Sequence, residues 1–153
     1  MKSTAKTFQV IILVGGKGTR FSKKNEPPKH LTNLNNNLIL INIINYLKSS
    51  GFQHFMFPLG AKKKYFINFF NSKKNQKRYK FELVNKKNIK KTSSNKIYIT
   101  FFNAGENTKK LNRIYKSIKR SKFQDFLVVY GDDIANVNLS KLIKKYISLK
   151  KKK

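Results

Sequence analysis

The chain has 153 residues and no cysteine, and it contains only two histidines and six acidic residues. Without cysteine it can form neither a disulfide nor a thiolate metal site. The two histidines, His30 and His54, lie far apart in the sequence, which argues against a histidine-based metal site. No apolar run approaches the roughly 18 residues that a membrane-spanning helix needs. We therefore expect no membrane partner.

The amino terminus, "MKSTAKTFQVIILVGG", has the lysines and the apolar run of a secretory signal peptide. The run is too short for one, and it leads into a charged glycine loop rather than into a small-residue cleavage site. We therefore predict a cytoplasmic protein.

The scarcity of acids leaves a net charge of +29, which suggests a nucleic-acid or anionic partner. However, lysine is abundant together with asparagine, isoleucine and phenylalanine, the residues whose codons are rich in A and T. Basic residues are spread along the chain, and arginine is scarce beside lysine. The composition thus favours genome base bias, and nucleic-acid binding is the less favoured alternative.

The chain is long enough for one domain, 1–153, with a sizeable core. Apolar stretches typical of strands alternate with stretches of helical spacing. Strands are predicted at 8–14, 52–60, 96–102 and 125–131, and helices at 38–51, 62–74, 108–120 and 138–153. This alternation predicts an α/β fold with a doubly wound, mostly parallel sheet, in which ligands bind at the carboxyl ends of the strands.

Three local predictions accompany this scheme. The asparagines at 35–37 are placed to cap the first helix. The polar, lysine-rich range 71–95 is predicted to be an excursion on the surface. In the helix at 108–120, one face collects the apolar side chains, namely Leu111, Ile114, Tyr115 and Ile118.

The first strand runs into "GGKGTRF", residues 15–21. Glycines let backbone N–H groups approach an anion closely, and Arg20 adds a planar cationic fork suited to phosphate. The dinucleotide pattern would need glycine at Phe21, and a Walker loop would need Ser or Thr after Lys17. A plain tight turn would need neither three glycines nor the arginine. The pattern favours a phosphate-binding loop.

These residues carry a family resemblance. "VIILVGGKGTRF" resembles the signature of sugar-phosphate nucleotidyltransferases, and residues 27–66 are similar to the family's next block. Residues 103–119 and 126–143, which include "GENTKKLNR" and "YGDD", resemble glucose-1-phosphate cytidylyltransferases most closely. The resemblance covers nearly the whole chain. It implies a Rossmann-like, GT-A-like nucleotidyltransferase fold, nucleotide-sugar biosynthesis, and a nucleoside triphosphate, CTP, and a sugar 1-phosphate, glucose 1-phosphate, as substrates.

The resemblance also implies roles for individual residues. Asp132 would hold the Mg²⁺ cofactor, Arg20 would neutralise the phosphates, and Lys29 would support the α-phosphate. The remaining nucleotide-binding positions are Gly15, Gly16, Gly18, Thr19, Gly105 and Thr108. Charge neutralisation suits the chemistry, because a sugar-phosphate oxygen attacking the α-phosphorus brings two anions together.

Two alternatives remain open among these residues. Asp133, where the family usually has glycine, can instead form a turn or cap the last helix. Thr108 can equally be a helix cap.

The sequence departs from the family pattern in three respects. His30 and Leu38 replace expected prolines, and "GENTKKLNR" lacks the paired glycines beside the base. The chain also stops one helix after Asp132, before the family's sugar-binding residues. We therefore expect a carboxyl-terminally truncated copy, or one completed by a second chain. A homo-oligomer and an inactive nucleotide-binding remnant are further alternatives.

Overall fold

The computed structural model describes residues 5–16, 26–84, 96–133 and 135–151. Its seven strands in this part of the chain are β1 (Phe8–Leu13), β2 (Asn33–Leu34), β3 (Asn37–Leu38), β4 (His54–Leu59), β5 (Phe81–Leu83), β6 (Ile97–Asn103) and β7 (Asp125–Tyr130). The helices are α1 (Ile39–Ser49), α2 (Lys63–Asn71), α3 (Lys73–Tyr79), α4 (Lys110–Arg120) and α5 (Leu139–Lys150), with a 3₁₀ turn at Lys29–Leu31.

Five strands form one parallel sheet in the order β5-β6-β4-β1-β7. In the centre of this sheet, Val10 of β1 pairs with Phe55 of β4 and with Leu127 of β7. The predicted α/β fold with a mostly parallel sheet is confirmed. Because all five strands run the same way, their carboxyl ends lie along one edge.

The two faces of β1 contact different layers, as the period-two alternation of a strand requires. Val10 and Ile12 belong to the main core, to which α1, α2 and α5 contribute apolar side chains. On the other face, Gln9 accepts a hydrogen bond from the hydroxyl of Ser121, which directly follows α4. All six residues of the strand are buried, which explains its continuous apolar sequence.

The asparagines at 35–37 do not cap α1, contrary to the sequence prediction. Asn35 and Asn36 have φ values of +50° and +63°, and they form the turn of the small β2–β3 hairpin. Asparagine is one of the few residues that adopt this left-handed conformation readily, and two such residues in succession suit a two-residue hairpin. The N-cap of α1 is Leu38, which makes no side-chain cap hydrogen bond.

The predicted surface excursion at 71–95 is partly an element of the sheet. Its first half contains α3 and then β5, which pairs with β6 and forms one edge of the sheet. Phe81 is buried there against Phe69 and Phe70 of α2. Because the range is mostly polar, its sequence pattern did not show that Phe81 is buried in the sheet. Residues 85–95 lie outside the described residues.

The helix predicted at 108–120 is present as α4, but its apolar face points outward. Leu111 is 74% exposed, and Tyr115 and Ile118 are also exposed. The helix packs on β4 and β1 through a different face, on which Arg113 and Ser117 are buried. Helical periodicity identified the helix correctly, but the buried face carries a cation and a hydroxyl.

The closing helix α5 agrees with its predicted amphipathic pattern, since Leu139 and Ile143 are buried in the core. Among the described residues, no helix combines the length and apolarity needed to cross a membrane.

Candidate functional site

All five strands of the parallel sheet end at one edge, and a glycine follows the end of four of them. Gly15 and Gly16 come after β1, Gly60 after β4, Gly105 after β6 and Gly131 after β7. The carboxyl edge of a parallel sheet is the usual place for a ligand site in this fold class. The predicted site residues in the described part of the chain lie in the strand ends and loops around this edge.

Lys29 and Asp132 are brought together at this edge. Lys29 begins the 3₁₀ turn, and its Nζ atom lies 3.8 Å from Oδ2 of Asp132. The turn is held by Thr32, whose hydroxyl donates to the carbonyl oxygen of Lys29 over 2.7 Å. Both side chains remain substantially exposed. The pair therefore places one cation and one carboxylate where a charged ligand can reach them.

Gly131 sets the position of Asp132. Its N–H donates to the carbonyl oxygen of Leu13 over 3.1 Å, which extends the pairing of β7 with β1. A Cβ atom on Gly131 would lie 2.6 Å from Cγ1 of Val14 and 2.8 Å from Cδ2 of His30. Only glycine fits this approach without displacement of its neighbours, so the glycine of "YGD" has a steric explanation.

His30 replaces the proline expected from the family pattern and is largely enclosed. Its ring lies edge-on to Phe66, with ring centroids 5.7 Å apart. Burial lowers the pKa of His30, an effect that the Asp132 carboxylate opposes and the Lys29 ammonium reinforces. At neutral pH the imidazole is therefore predominantly neutral, and it contributes a wall to the site rather than a charge.

The buried side chain of Arg113 packs against Gly15 and Gly60, which follow β1 and β4. Arg113 of α4 is only 4% exposed. A Cβ atom on Gly15 would overlap its guanidinium. A Cβ atom on Gly60 would clash with Nη1 and Nη2 of this guanidinium and with the Gly15 carbonyl oxygen. By contrast, a Cβ atom on Gly16 would meet nothing within 4 Å. Gly15 thus serves close packing on Arg113, whereas Gly16 faces open space.

The loop from 104 to 108 is shaped by hydrogen bonds to its carbonyl groups. Gly105 has φ +100°, and its N–H donates to Oδ1 of Asn103. The hydroxyl of Thr108 donates to the carbonyl oxygen of Ala104 over 2.6 Å. The N-cap of α4 is Lys109, without a side-chain cap hydrogen bond, so Thr108 does not cap the helix. Its hydroxyl instead closes the loop.

Arg113 donates to four backbone carbonyl oxygens, which belong to Pro58, Gly105, Glu106 and Thr108. Lys116, one turn later, donates to Ala104 over 2.9 Å. Burial lowers the pKa of Arg113 below its ordinary value, but a guanidinium remains charged at neutral pH. In the described part of the chain, no carboxylate oxygen lies within 4 Å of it.

Sequence reasoning did not single out Arg113 or Gly60. The signal was available in "GENTKKLNR", where Arg113 stands at the place of the arginine in the family's G-x-x-T-x-x-G-G-R-like loop. The places of the two missing glycines, Leu111 and Asn112, lie in the first turn of α4. For Gly60 the signal was the family block at 27–66, whose second strand ends in this glycine.

Three predicted nucleotide-binding residues, Gly18, Thr19 and Arg20, lie outside the described residues. Asp133 is exposed, and it does not cap α5, since the Asn138 side chain accepts from the Lys141 N–H there. Among the described residues, no three His, Cys, Asp or Glu side chains group together as a metal site would require. Asp132 and the adjacent Asp133 are the two carboxylates that follow β7 at this edge.

A mostly apolar groove of about 450 Å³ lies between β7, α1 and α5. Asp133 is at its rim, but Lys29, Asp132 and the glycines of the strand ends are not part of it. The groove is therefore separate from the charged edge.

No family model matches the chain. It is 32% identical over 141 residues to a Bacillus subtilis (strain 168) protein named "Probable glucose-1-phosphate cytidylyltransferase", a match that covers 89% of this chain and 54% of that protein. The chain thus spans about half the length of the curated relative.

Two solved structures share the fold. HddC from Yersinia pseudotuberculosis, complexed with GMP-PN, matches with a TM-score of 0.65 and 22% identity over 90% of this chain and 53% of its own. UTP-bound UGPase from Acinetobacter baumannii matches with a TM-score of 0.67 and 15% identity over 92% and 53%. The chain is thus similar in sequence to a probable sugar-phosphate nucleotidyltransferase over about half of that protein's length, and it shares the fold of the two solved structures, so the resemblance predicted from its motifs is confirmed.

Proposed function

We propose that the chain transfers a nucleotidyl group from a nucleoside triphosphate to a sugar 1-phosphate and releases pyrophosphate. The preferred substrates are CTP and glucose 1-phosphate, after the curated relative whose name contains this activity. The observation that carries the proposal is the Lys29–Asp132 pair beside Gly131 at the carboxyl edge of the sheet. The two similar structures hold GMP-PN and UTP, which supports a nucleotide as a ligand of this chain.

The charges of these residues suit this reaction. A sugar-phosphate oxygen attacks the α-phosphorus, the bond from that phosphorus to the bridging oxygen breaks, and pyrophosphate leaves with the electron pair. Because no side chain needs to become a nucleophile, catalysis depends on positioning and on charge neutralisation. Lys29 would neutralise the α-phosphate, and Arg20 would neutralise the departing pyrophosphate.

The donor set at the edge also fits Mg²⁺. This ion commonly binds through one or two carboxylates together with substrate phosphates and water, rather than in an all-protein cage. Asp132 supplies one carboxylate, is partly exposed, and lies 3.8 Å from the Nζ atom of Lys29. A bound Mg²⁺ would supply charge neutralisation at the phosphate oxygens. We therefore propose Asp132 as the Mg²⁺ ligand, with most of the affinity arising from the nucleotide.

The ion pair has a consequence for binding. Without nucleotide, Lys29 and Asp132 neutralise one another across 3.8 Å. If Asp132 held Mg²⁺, its carboxylate would attract the Lys29 ammonium less strongly, and this ammonium could contact a phosphate oxygen. We therefore expect nucleotide binding to require Mg²⁺.

Pyrophosphate release tests the proposal. The purified chain is incubated with Mg²⁺, glucose 1-phosphate and CTP, with UTP and GTP in parallel reactions. Asp132→Asn should lower the rate by at least about a hundredfold, the order that a lost electrostatic contact costs. Asp133→Asn, a matched change one residue later, should retain activity. Pyrophosphate release that is equal in wild type and Asp132→Asn would reject the proposed site.

A second candidate is nucleotide binding without turnover, which the match to only about half of each relative favours. It predicts Mg²⁺-dependent CTP binding, lost in Asp132→Asn, with no pyrophosphate at any sugar phosphate concentration. Nucleic-acid binding, the alternative raised by the charge of +29, instead predicts salt-sensitive DNA or RNA binding that Asp132→Asn does not change.

A further inference from the structure

Arg113 combines three properties that seldom occur together. It is buried, it is a permanent cation, and in the described part of the chain its hydrogen-bond partners are backbone carbonyl groups rather than a carboxylate. An enclosed charge is costly unless its surroundings are fixed to satisfy it. Such a side chain is therefore expected to impose a defined geometry on whatever it contacts.

The carbonyl groups bound by Arg113 come from two separate segments. Pro58 lies near the end of β4, and its carbonyl oxygen accepts from Nη1 over 3.2 Å. Gly105 and Thr108 lie in the loop after β6, and their carbonyl oxygens accept over 2.9 Å from Nη2 and Nε. The planar guanidinium therefore holds this loop to β4 in a single orientation, which the single ammonium of a lysine could not reproduce.

The same guanidinium also contacts the end of β1. Gly15 packs so closely on it that an added Cβ would overlap the side chain, and the three nearest atoms to that Cβ all belong to Arg113. The residue thus touches three strand ends at once, and two of them carry predicted nucleotide-binding glycines, Gly15 and Gly105.

We infer that Arg113 is a positioning residue of the proposed nucleotide site, acting through the backbone on which Gly15 and Gly105 lie. Because its carbonyl oxygens are tied to the guanidinium, the loop keeps one conformation although "GENTKKLNR" lacks the paired glycines. The inference rests on the proposed function for its ligand, whereas the hydrogen bonds from Arg113 to the loop do not depend on which ligand binds.

The test is a double-mutant cycle between Arg113→Lys and Gly15→Ala, with Mg²⁺–CTP affinity as the readout. Each single change should weaken binding by about tenfold, because each displaces or removes the guanidinium. The double variant should bind no more weakly than either single variant, since the methyl group at 15 has no guanidinium left to displace. Arg120→Lys, an exposed arginine on the same helix, is the matched control and should bind as wild type does.

Hydrogen exchange separates this inference from the proposed function. In the nucleotide-free protein, Arg113→Lys should accelerate exchange at Gly105, Glu106 and Thr108 by about tenfold or more beyond any change at the buried amides of β1. Additive affinities together with unchanged local exchange would overturn the inference. If wild type does not bind CTP, the proposed function fails, and the exchange measurement alone decides whether Arg113 fastens the loop.

Discussion

Lys29 and Asp132 lie far apart in the sequence, yet the Nζ atom of one is 3.8 Å from a carboxylate oxygen of the other. The contact arises because β1 and β7 are neighbours in the sheet and the 3₁₀ turn at Lys29–Leu31 lies over the end of β7. Gly131 permits the approach, since His30 and Val14 occupy the space that a side chain would need. The pair is the centre of the proposed site.

Lys29→Met should weaken Mg²⁺–CTP binding by at least about tenfold, the factor that corresponds to 1.4 kcal/mol. The reason is that the variant loses the cation that pairs with Asp132 and that is proposed to contact the α-phosphate. Isothermal titration calorimetry measures the effect. Lys64→Met, which removes an exposed lysine at the start of α2, is the control, and an equal loss in both variants would indicate nonspecific attraction by the overall charge.

Gly131→Ala should destabilise the protein by about 1–3 kcal/mol, because its methyl group would overpack against Val14 and His30. Thermal and urea unfolding measure the change. Gly16→Ala, whose methyl group meets no neighbour, should leave the free energy of unfolding within about 0.5 kcal/mol of wild type. Equal stability of the two variants would contradict the described packing at Gly131.

Acid should destabilise the protein through His54. This buried imidazole stacks on Tyr98, and burial lowers its pKa from 6.5 to about 4. Since the unfolded chain binds the proton more readily, the contribution is complete above pH 6.5 and is lost as the pH falls toward 4. Urea titrations at pH 7 and pH 4.5 should differ by about 1–3 kcal/mol more in wild type than in His54→Phe. The same pH dependence in both proteins would exclude His54 as its source.

The buried face of α4 can be checked with two matched changes. Leu111→Ser alters a residue that is 74% exposed and should change the free energy of unfolding by no more than about 0.5 kcal/mol. Ser117→Leu enlarges a fully buried residue and should cost at least about 1 kcal/mol. The reverse ranking in denaturant unfolding would mean that the apolar face of α4, and not the face of Arg113 and Ser117, is buried.

Asn36 tests the turn of the β2–β3 hairpin. Its φ of +63° predicts that Asn36→Gly keeps or increases stability, whereas Asn36→Val lowers it by about 1 kcal/mol or more. Chemical denaturation of the two variants measures the difference. If valine were tolerated as well as glycine, this turn would not be left-handed.

Much of the fold could be predicted because it depends on local patterns. The apolar run at 8–14 indicated a strand buried on both faces, and the alternation of such runs with helical spacing indicated the parallel sheet. The periodicity identified the apolar face of α4, but only the structure shows that this face is exposed. Periodicity assumes that the buried face is the apolar one, whereas Arg113 is buried because four carbonyl groups satisfy it.

The sequence by itself determined the alternation of the main strands and helices and the family resemblance, since both are carried by residues close together in the chain. It also supplied Lys29 and Asp132 as candidates. Only the tertiary structure decided that these two meet, that Gly15 packs on Arg113 and that Thr108 closes a loop instead of capping a helix. These are contacts across the sheet edge, where strand order and close backbone approach, rather than local spacing, determine which groups are neighbours.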